Sequence, residues 1–238
     1  MTRLQKIWLF SLLLLFAVAL LATFGDLLYV RLNYMPLMDT ITFQRKCVVP
    51  TVVPNQDQNH NGIPDSIDLV DGARQEVTGH TWWFEASYYR GGYPPEGRGE
   101  DTDVIWRAFQ AAGYNLKDLV DADIRSQPDA YNKLITQPDP NIDFRMVGVL
   151  DKFFQRHAIE LTTDVQPGEV SNLEQWQPGD IVVFGLPADP DHIAIISDRR
   201  RKDGVPLVIH NAGPLATEGD YLLRWHSKID HHFRYITF

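Results

Sequence analysis

Asp101, His192 and His210 are the side chains whose types and positions could support hydrolytic chemistry. Asp101 follows a loop rich in glycine and proline, Gly91–Gly99, and stands at the predicted start of an amphipathic helix. The free N–H groups and the dipole at a helix N-terminus stabilise an anion. His192 begins one predicted strand and His210 ends the next. A polar group on a helix, a base on a strand and an orienting group on the neighbouring strand can together perform nucleophilic hydrolysis.

A structural role competes with the catalytic one for each of these residues. Asp is among the best N-cap residues, so capping alone would account for Asp101. A single histidine is more often a satisfied structural residue than a catalytic one. The functional interpretation therefore depends on the fold bringing the ends of two strands, with His192 and His210, against the start of the Asp101 helix.

Helices precede strands in the part of the chain that must position these residues. Apolar residues recur at helical spacing after Ser66, after Asp101 and over Arg145–His157, which predicts amphipathic helices. The pattern then changes to period 2, which predicts strands at Ile181–Phe184, His192–Ser197, Pro206–His210 and Phe233–Phe238. Asp203-Gly204 predicts a hairpin between the second and third strands. This order indicates an α+β fold in which N-terminal helices pack on an antiparallel sheet.

The net charge and the cysteine content argue against certain partners and against an intrachain disulfide. The chain has 238 residues and a formal net charge of -9, which argues against nucleic acid or an anionic membrane surface as the main partner. The only cysteine, Cys47, precludes an intrachain disulfide. Its role stays open between a free thiol and an intermolecular bridge.

The N-terminus carries the features of a membrane anchor. Residues 7–25 contain no charged side chain, and Arg3 and Lys6 precede them. At about 1.5 Å per residue such a helix just covers a bilayer core. A cleaved signal peptide is the alternative, but the apolar character continues beyond the small residues at 17–19. We predict cytoplasmic residues 1–6, a single-pass signal-anchor at 7–25, a stalk at 26–54 and an extracytoplasmic remainder at the cell membrane.

Residues 55–68 have the spacing of a calcium loop. Oxygen ligands recur at alternate positions, and Gly62 stands where such a loop must turn sharply. The predicted ligands are the side chains of Asp57, Asn59, Asn61, Asp65 and Asp68 and the backbone carbonyl of Ile63. The stretch resembles the calcium loops of dockerins and thrombospondin type-3 repeats. The alternative is a polar turn in which Asp65 or Ser66 caps the next helix.

From about Asp57 to Phe238 the sequence resembles the YijF-like family, domain of unknown function 1287, which is related to NlpC-type, papain-like cell-wall peptidases. The motifs that carry the resemblance are Gly91–Pro95, Thr102–Val104, Pro138–Asp143, His192–Ile193 and Val208–Asn211. The resemblance implies a papain-like domain over residues 69–238 that acts outside the cytoplasm on peptidoglycan peptides. It also implies His192 as the base, His210 as the orienting residue, and Tyr93 and Asn211 as substrate-binding residues.

One departure from the family pattern affects the chemistry. The family reads Gly-x-Cys-Thr-Asp-Val, whereas this chain reads Gly99-Glu-Asp101-Thr-Asp-Val104. A carboxylate is a poor nucleophile toward an amide, so the cysteine mechanism is lost. We rank three alternatives, and enzymatic activity stays open. In the first, the domain is a pseudoenzyme that binds wall peptides. In the second, Asp101, His192 and His210 hold a transition metal that supports hydrolysis. In the third, Asp101 acts as a general base on water.

Overall fold

The computed structural model describes residues 46–83, 88–186 and 189–235. The predicted signal-anchor at 7–25 and most of the predicted stalk lie outside these ranges. Among the described residues, no helix is long and apolar enough to cross a membrane.

Five α-helices lie in the described ranges. The first four form a layer, and the second of them begins with the site residue Asp101. Their bounds are α1 Asp65–Thr78, α2 Asp101–Ala111, α3 Leu116–Ser126, α4 Val147–His157 and the short α5 Val170–Leu173. In α2 the apolar positions Val104, Ile105, Ala108 and Phe109 are almost fully buried. Their helical spacing puts them on one face, which explains why this stretch folds as a helix against the sheet.

The strands form a six-stranded sheet and a separate two-stranded ribbon. The ribbon pairs β1 (Trp82–Trp83) with β2 (Arg98–Gly99) in parallel. The sheet contains β3 Ile159–Glu160, β4 Ile181–Leu186, β5 Asp189–Arg200, β6 Pro206–His210, β7 Thr217–Gly219 and β8 Ile229–Arg234. Its order is β3-β8-β4-β5-β6-β7, and every pair is antiparallel. This confirms the predicted mixed α+β class and antiparallel sheet.

Three strands were predicted where they occur, and the fourth is displaced. The last strand is Ile229–Arg234 and begins four residues before the predicted Phe233–Phe238, because Ile181 of β4 pairs with Phe233 and Phe184 pairs with Ile229. Residues 236–238 lie outside the described ranges. The short edge strands β3 and β7 were not predicted, since two or three residues carry no visible alternation. The predicted hairpin at Asp203-Gly204 does join β5 to β6.

Both faces of the central strands are buried. On β4 and β5, Val183 and Ile195 belong to the core shared with the helices, while Val182 and Ala194 belong to a second core that contains Trp176. Successive side chains of a strand point to opposite faces, so each strand serves both cores. The central strands therefore form an interior layer, whereas both residues of the edge strand β3 are exposed.

The second core also includes part of the predicted stalk. Val49 is almost fully buried against this core, and the N–H of Cys47 donates to the carbonyl of Lys202 at 2.8 Å. The side-chain oxygen of Gln177 accepts from the N–H of Val52 at 2.8 Å. Residues 46–53 thus belong to the globular unit, which begins earlier than the stalk prediction of 26–54 placed it.

Candidate functional site

Asp101 is the first residue of α2 but not its cap. Glu100 is the N-cap, and its side chain and that of Asp103 form a capping box in which the N–H of Glu100 donates to Asp103 at 2.8 Å. The capping interpretation of Asp101 is therefore wrong, because its neighbours already satisfy that requirement. One oxygen of Asp101, Oδ1, bonds within α2 to the N–H of Thr102, and Oδ2 is left to make contacts outside the helix.

Asp101, His192 and His210 form a linear chain of hydrogen bonds. Oδ2 of Asp101 lies 2.8 Å from Nδ1 of His192. On the other edge of the ring, Nε2 of His192 lies 2.7 Å from Nδ1 of His210. The order follows from topology: α2 packs on β5, which carries His192, and β6, which carries His210, is the neighbour of β5. The structure thus brings together the three predicted site residues.

Both oxygens of Asp101 are engaged by donors inside the protein. Oδ1 accepts from the N–H of Thr102 at 2.8 Å, and Oδ2 accepts from the N–H of Ile193 at 3.0 Å as well as from His192. A carboxylate can only accept, so Nδ1 of His192 carries the proton of that bond. Asp101 is only 7% exposed. The carboxylate is consequently held in place and shielded from bulk water.

His210 is a neutral orienting residue. Burial lowers its pKa well below the usual range, and the neighbouring His192 lowers it further. Its Nε2 is buried without a hydrogen-bond partner, and its ring makes an edge contact with Tyr221 at 4.1 Å between centroids. When His192 is neutral its Nε2 is an acceptor, so Nδ1 of His210 must donate to it. His210 therefore fixes the orientation of the His192 ring.

Trp225 contacts the site, although sequence analysis did not identify it. Its indole stacks on the His192 ring at 4.1 Å with an interplanar angle of 17°. It also packs edge-on against His210 at 5.3 Å. The stacked indole covers one face of the imidazole and limits its rotation. No sequence signal indicated this role, since Trp225 lies in a loop between β7 and β8.

A buried ion pair supports the start of α2. Arg145 contacts Asp103 through Nε at 2.7 Å and through Nη2 at 3.0 Å, and both side chains are fully buried. The indole N–H of Trp106 donates to the same carboxylate at 2.7 Å. Asp103 thus ties the first turn of α2 to the segment that precedes α4.

The two predicted substrate-binding residues differ in exposure, and Asn211 directly follows His210 in the chain. Tyr93 is 43% exposed and packs on Trp106 at 4.8 Å and Phe144 at 5.5 Å. Asn211 is buried, and its amide donates to the carbonyl of Gly99 at 2.9 Å. Asn211 thus connects the end of β6 to the loop that leads into α2, and this internal bond occupies its side chain. Tyr93 remains accessible.

The predicted calcium ligands are only partly grouped. The amides of Asn59 and Asn61 donate to Oδ2 of Asp68 at 2.8 and 3.0 Å. Asp57 accepts the backbone N–H groups of Asn61 and Gly62 at 3.1 and 2.8 Å. A cation here would require both amides to turn their oxygens toward it.

Asp65 faces away from this group. It accepts the hydroxyl of Tyr114 at 2.5 Å and the N–H of Gln58 at 2.7 Å. Four of the predicted side-chain ligands, those of Asp57, Asn59, Asn61 and Asp68, therefore fit a cation better than the fifth.

The linear chain does not have the shape of a metal site. Asp101 and His210 bind opposite edges of the His192 ring, so their side chains do not converge on one point with it. Among the described residues, no group of three or more His, Cys, Asp or Glu side chains is arranged to hold a metal ion. The geometry favours a chain of hydrogen bonds over ligation.

Comparison with known proteins assigns the family. The model of a family described as "Domain of unknown function (DUF1287)" matches residues 70–235. The chain belongs to the DUF1287 family. It is also 34% identical over 210 residues to the "Uncharacterized protein YijF" of Escherichia coli strain K12, covering 86% of this chain and 95% of that protein. No solved structure matches the chain significantly.

Within the DUF1287 domain, the motif Pro138–Asp143 clamps the glycine-rich loop. Oδ1 of Asn141 accepts the N–H of Gly91 at 3.0 Å, and its Nδ2 lies 3.0 Å from the hydroxyl of Tyr88. Gly92 has a φ of +89°, and a Cβ there would lie 2.7 Å from the Phe144 ring. The matched region contains this clamp and the whole Asp101–His192–His210 chain, whereas the predicted calcium loop precedes it.

Proposed function

We propose that the DUF1287 domain of this chain is a papain-like module that binds peptidoglycan peptides without hydrolysing them. Support comes from the order of the site residues: the nucleophile position on a helix, a histidine on a strand and an orienting residue on the next strand. In papain-like hydrolases the histidine likewise uses one ring nitrogen for the nucleophile and the other for an orienting group. This similarity of arrangement favours the relationship to NlpC-type peptidases.

The observation that carries the proposal is that donors inside the protein engage both oxygens of the Asp101 carboxylate. It accepts hydrogen bonds from Thr102, Ile193 and His192 and is almost fully buried. A nucleophile must instead present a free lone pair to the substrate, and carboxylates attack amides poorly. The hydrogen bond between Asp101 and His192 thus keeps the pairing of the nucleophile position with the histidine, while the sulfur atom that would form the bond to the substrate is missing.

The same contacts make the two hydrolytic alternatives less favourable. A general base must lie within hydrogen-bond reach of a water molecule. Both oxygens of Asp101 instead accept hydrogen bonds from donors inside the protein. A transition metal held by Asp101, His192 and His210 would require the linear chain to break and the three side chains to turn toward one point. We therefore keep an active hydrolase as the alternative that the experiment must exclude.

The predicted N-terminal anchor gives the module its location. An uncleaved signal-anchor with cytoplasmic residues 1–6 would hold residues 46–235 on the outer side of the cell membrane, next to the wall. The negative net charge is compatible with a polymer partner recognised by hydrogen bonds and stacking, without phosphate contacts. The proposed partners are therefore wall peptides and the membrane that carries the anchor.

The test compares the full-length chain in three forms: natural, Asp101→Cys, and Asp101→Cys with His192→Ala. Each is incubated with purified peptidoglycan in the presence of calcium, sedimentation measures binding, and mass spectrometry measures released fragments. We expect the natural chain to bind without cleavage, the cysteine form to cleave, and the double variant to lose cleavage.

Two results would contradict the proposal. Fragments released by the natural chain, and lost in Asp101→Ala, would make it an active hydrolase. A natural chain that neither sediments with peptidoglycan nor binds a sugar-free stem peptide in calorimetry would refute the assigned ligand.

A further inference from the structure

We propose that a cavity between α4 and β8 binds a free α-amino acid, with Asp151 holding its ammonium group and Lys152 its carboxylate. The cavity has a volume of about 560 Å³ and is bounded by α4, His231 of β8 and the turn after α3. Small-molecule sites typically have volumes of about 300–1,000 Å³. None of the lining residues belongs to the Asp101 site, so the inference is independent of the proposed function.

Asp151 presents a buried carboxylate oxygen to this cavity. The residue is only 6% exposed, and its Oδ2 accepts the Nε2 donor of Gln155 at 2.7 Å. Its Oδ1 lies 2.7 Å from Nδ1 of His231, but the alignment falls short of a hydrogen bond. Among the described residues, neither of these two buried atoms has a hydrogen-bond partner. Buried polar atoms are nearly always paired, so an unpaired oxygen in a cavity wall indicates a donor that a ligand supplies.

The charges around His231 show that this donor is a cation. Besides Asp151, Oδ2 of Asp230 lies 3.6 Å from Nδ1 of the ring and Oε1 of Glu160 lies 3.9 Å from Nε2. Three carboxylates around one imidazole leave this corner negative in either protonation state of the histidine. The described His, Cys, Asp and Glu side chains include no group arranged to hold a metal ion. A hydrogen-bonding cation, an ammonium group, therefore fits the corner.

The energetics of Asp151 agree with a missing cation. Burial raises the pKa of this carboxyl group, although the nearby His231 acts in the opposite direction. The imidazole therefore offsets only part of the cost of removing the carboxylate from water. An ammonium group bonded to Oδ1 adds the compensation that the protein itself does not provide.

Lys152 supplies the opposite charge in the same cavity. Its Nζ donates to Oε1 of Gln155 at 2.5 Å, and Gln155 in turn donates to Asp151. A lysine ammonium has three donors, so two remain for the carboxylate of a ligand. Lys133, in the turn after α3, is exposed and lines the same cavity. One glutamine thus separates the acceptor from the donor, and an α-amino acid carries both matching charges on a single carbon atom.

The remaining lining indicates the probe to use. Ala130 and Leu134 are half-buried and give one wall an apolar surface, which suits an aliphatic side chain. Leucine therefore carries the three features that the cavity complements. A simple amine would leave the Lys152 donors without a partner, and a simple carboxylate would face the acidic corner around His231.

Calorimetry on the full-length chain tests the ligand class with leucine and two analogues. The analogue 4-methylpentanoate lacks the ammonium group, and 3-methylbutylamine lacks the carboxylate. We expect leucine to bind and each analogue to bind at least about tenfold more weakly, because each loses one charge-assisted contact. Absence of leucine binding would refute the site, and equal affinity for 3-methylbutylamine would refute the role of Lys152.

Two variants test the residues, and an exposed aspartate outside the cavity provides the control. We expect Asp151→Asn and Lys152→Met to lower leucine affinity at least about tenfold, and Asp164→Asn to leave it unchanged. Asp151→Asn should also keep the Tm of the natural chain, because it removes a buried charge that the protein compensates only in part. A lowered Tm with unchanged leucine binding would make Asp151 a structural partner of His231 and overturn the proposal.

Discussion

Oδ2 of Asp101 lies 2.8 Å from Nδ1 of His192, and the two side chains are 9% and 6% exposed. Removing the carboxylate leaves the imidazole and the N–H groups of Thr102 and Ile193 without their acceptor. We expect Asp101→Ala to lower the free energy of unfolding by about 3 kcal/mol, measured by urea denaturation. Asp101→Asn keeps one acceptor oxygen and should cost about half as much.

The matched control for this change is Asp129→Ala, at an exposed aspartate in the turn after α3. It should alter the free energy of unfolding by no more than about 0.5 kcal/mol. Equal losses at the two positions would show that the Asp101–His192 pair contributes nothing specific to stability.

The depressed pKa of His210 predicts a pH dependence of stability. Burial and the nearby His192 hold this imidazole neutral in the folded state, whereas in the unfolded chain it titrates near its ordinary value of about 6.5. The stabilisation is therefore complete above pH 6.5 and is lost as the pH falls toward the folded pKa. Below pH 6.5 the free energy of unfolding should decrease by about 1.4 kcal/mol per pH unit from this residue.

Urea denaturation of the natural chain and of His210→Gln between pH 7.5 and 5 measures this contribution. The difference between their free energies of unfolding should shrink as the pH falls, because glutamine does not titrate. A difference that stays constant over this range would mean that His210 is not held neutral.

The buried pair of Asp103 and Arg145 should dominate the stability of the helix that carries the site. Breaking a fully buried pair leaves one charge unpaired, so Asp103→Ala or Arg145→Ala should each cost about 3–5 kcal/mol. The double variant removes both charges and should cost clearly less than the sum of the single changes. Guanidinium denaturation of the four proteins forms the cycle, and additive losses would contradict a direct coupling.

The loop at residues 57–68 predicts a modest calcium affinity. Asp57 and Asp68 are the carboxylates grouped with the two asparagines, and extracellular sites of low charge bind with Kd values of about 10⁻⁴–10⁻³ M. At 10 mM calcium and a Kd of about 1 mM, the expected stabilisation is about 1.4 kcal/mol, or a rise in Tm of roughly 3–5 °C.

Thermal unfolding with calcium or with a chelator measures this effect. Asp57→Ala should abolish the rise in Tm, and Asp129→Ala should preserve it. A natural chain whose Tm is the same with calcium and with chelator would leave residues 57–68 as a polar turn, which is the alternative that the sequence also allows.

The elements that carry the site could be predicted because their patterns are local. Helix α2 was predicted from Asp101 because its apolar residues repeat at 3.6-residue spacing, and β6 was predicted at Pro206–His210 from alternation. The hairpin at Asp203-Gly204 made β5 and β6 neighbours, which placed His192 and His210 together. The candidate site followed from the types of three residues, Asp101, His192 and His210.

Only the tertiary structure determined what each side chain contacts. Trp225 reaches His192 from a loop, and Arg145 reaches Asp103 across more than forty positions. Such contacts depend on packing between elements distant in sequence, which no local period encodes. The N-cap of α2 is Glu100 and not Asp101, and this also depends on distant contacts. The Ile193 N–H and the His192 ring lie on a strand far along the chain, and they engage the Asp101 carboxylate.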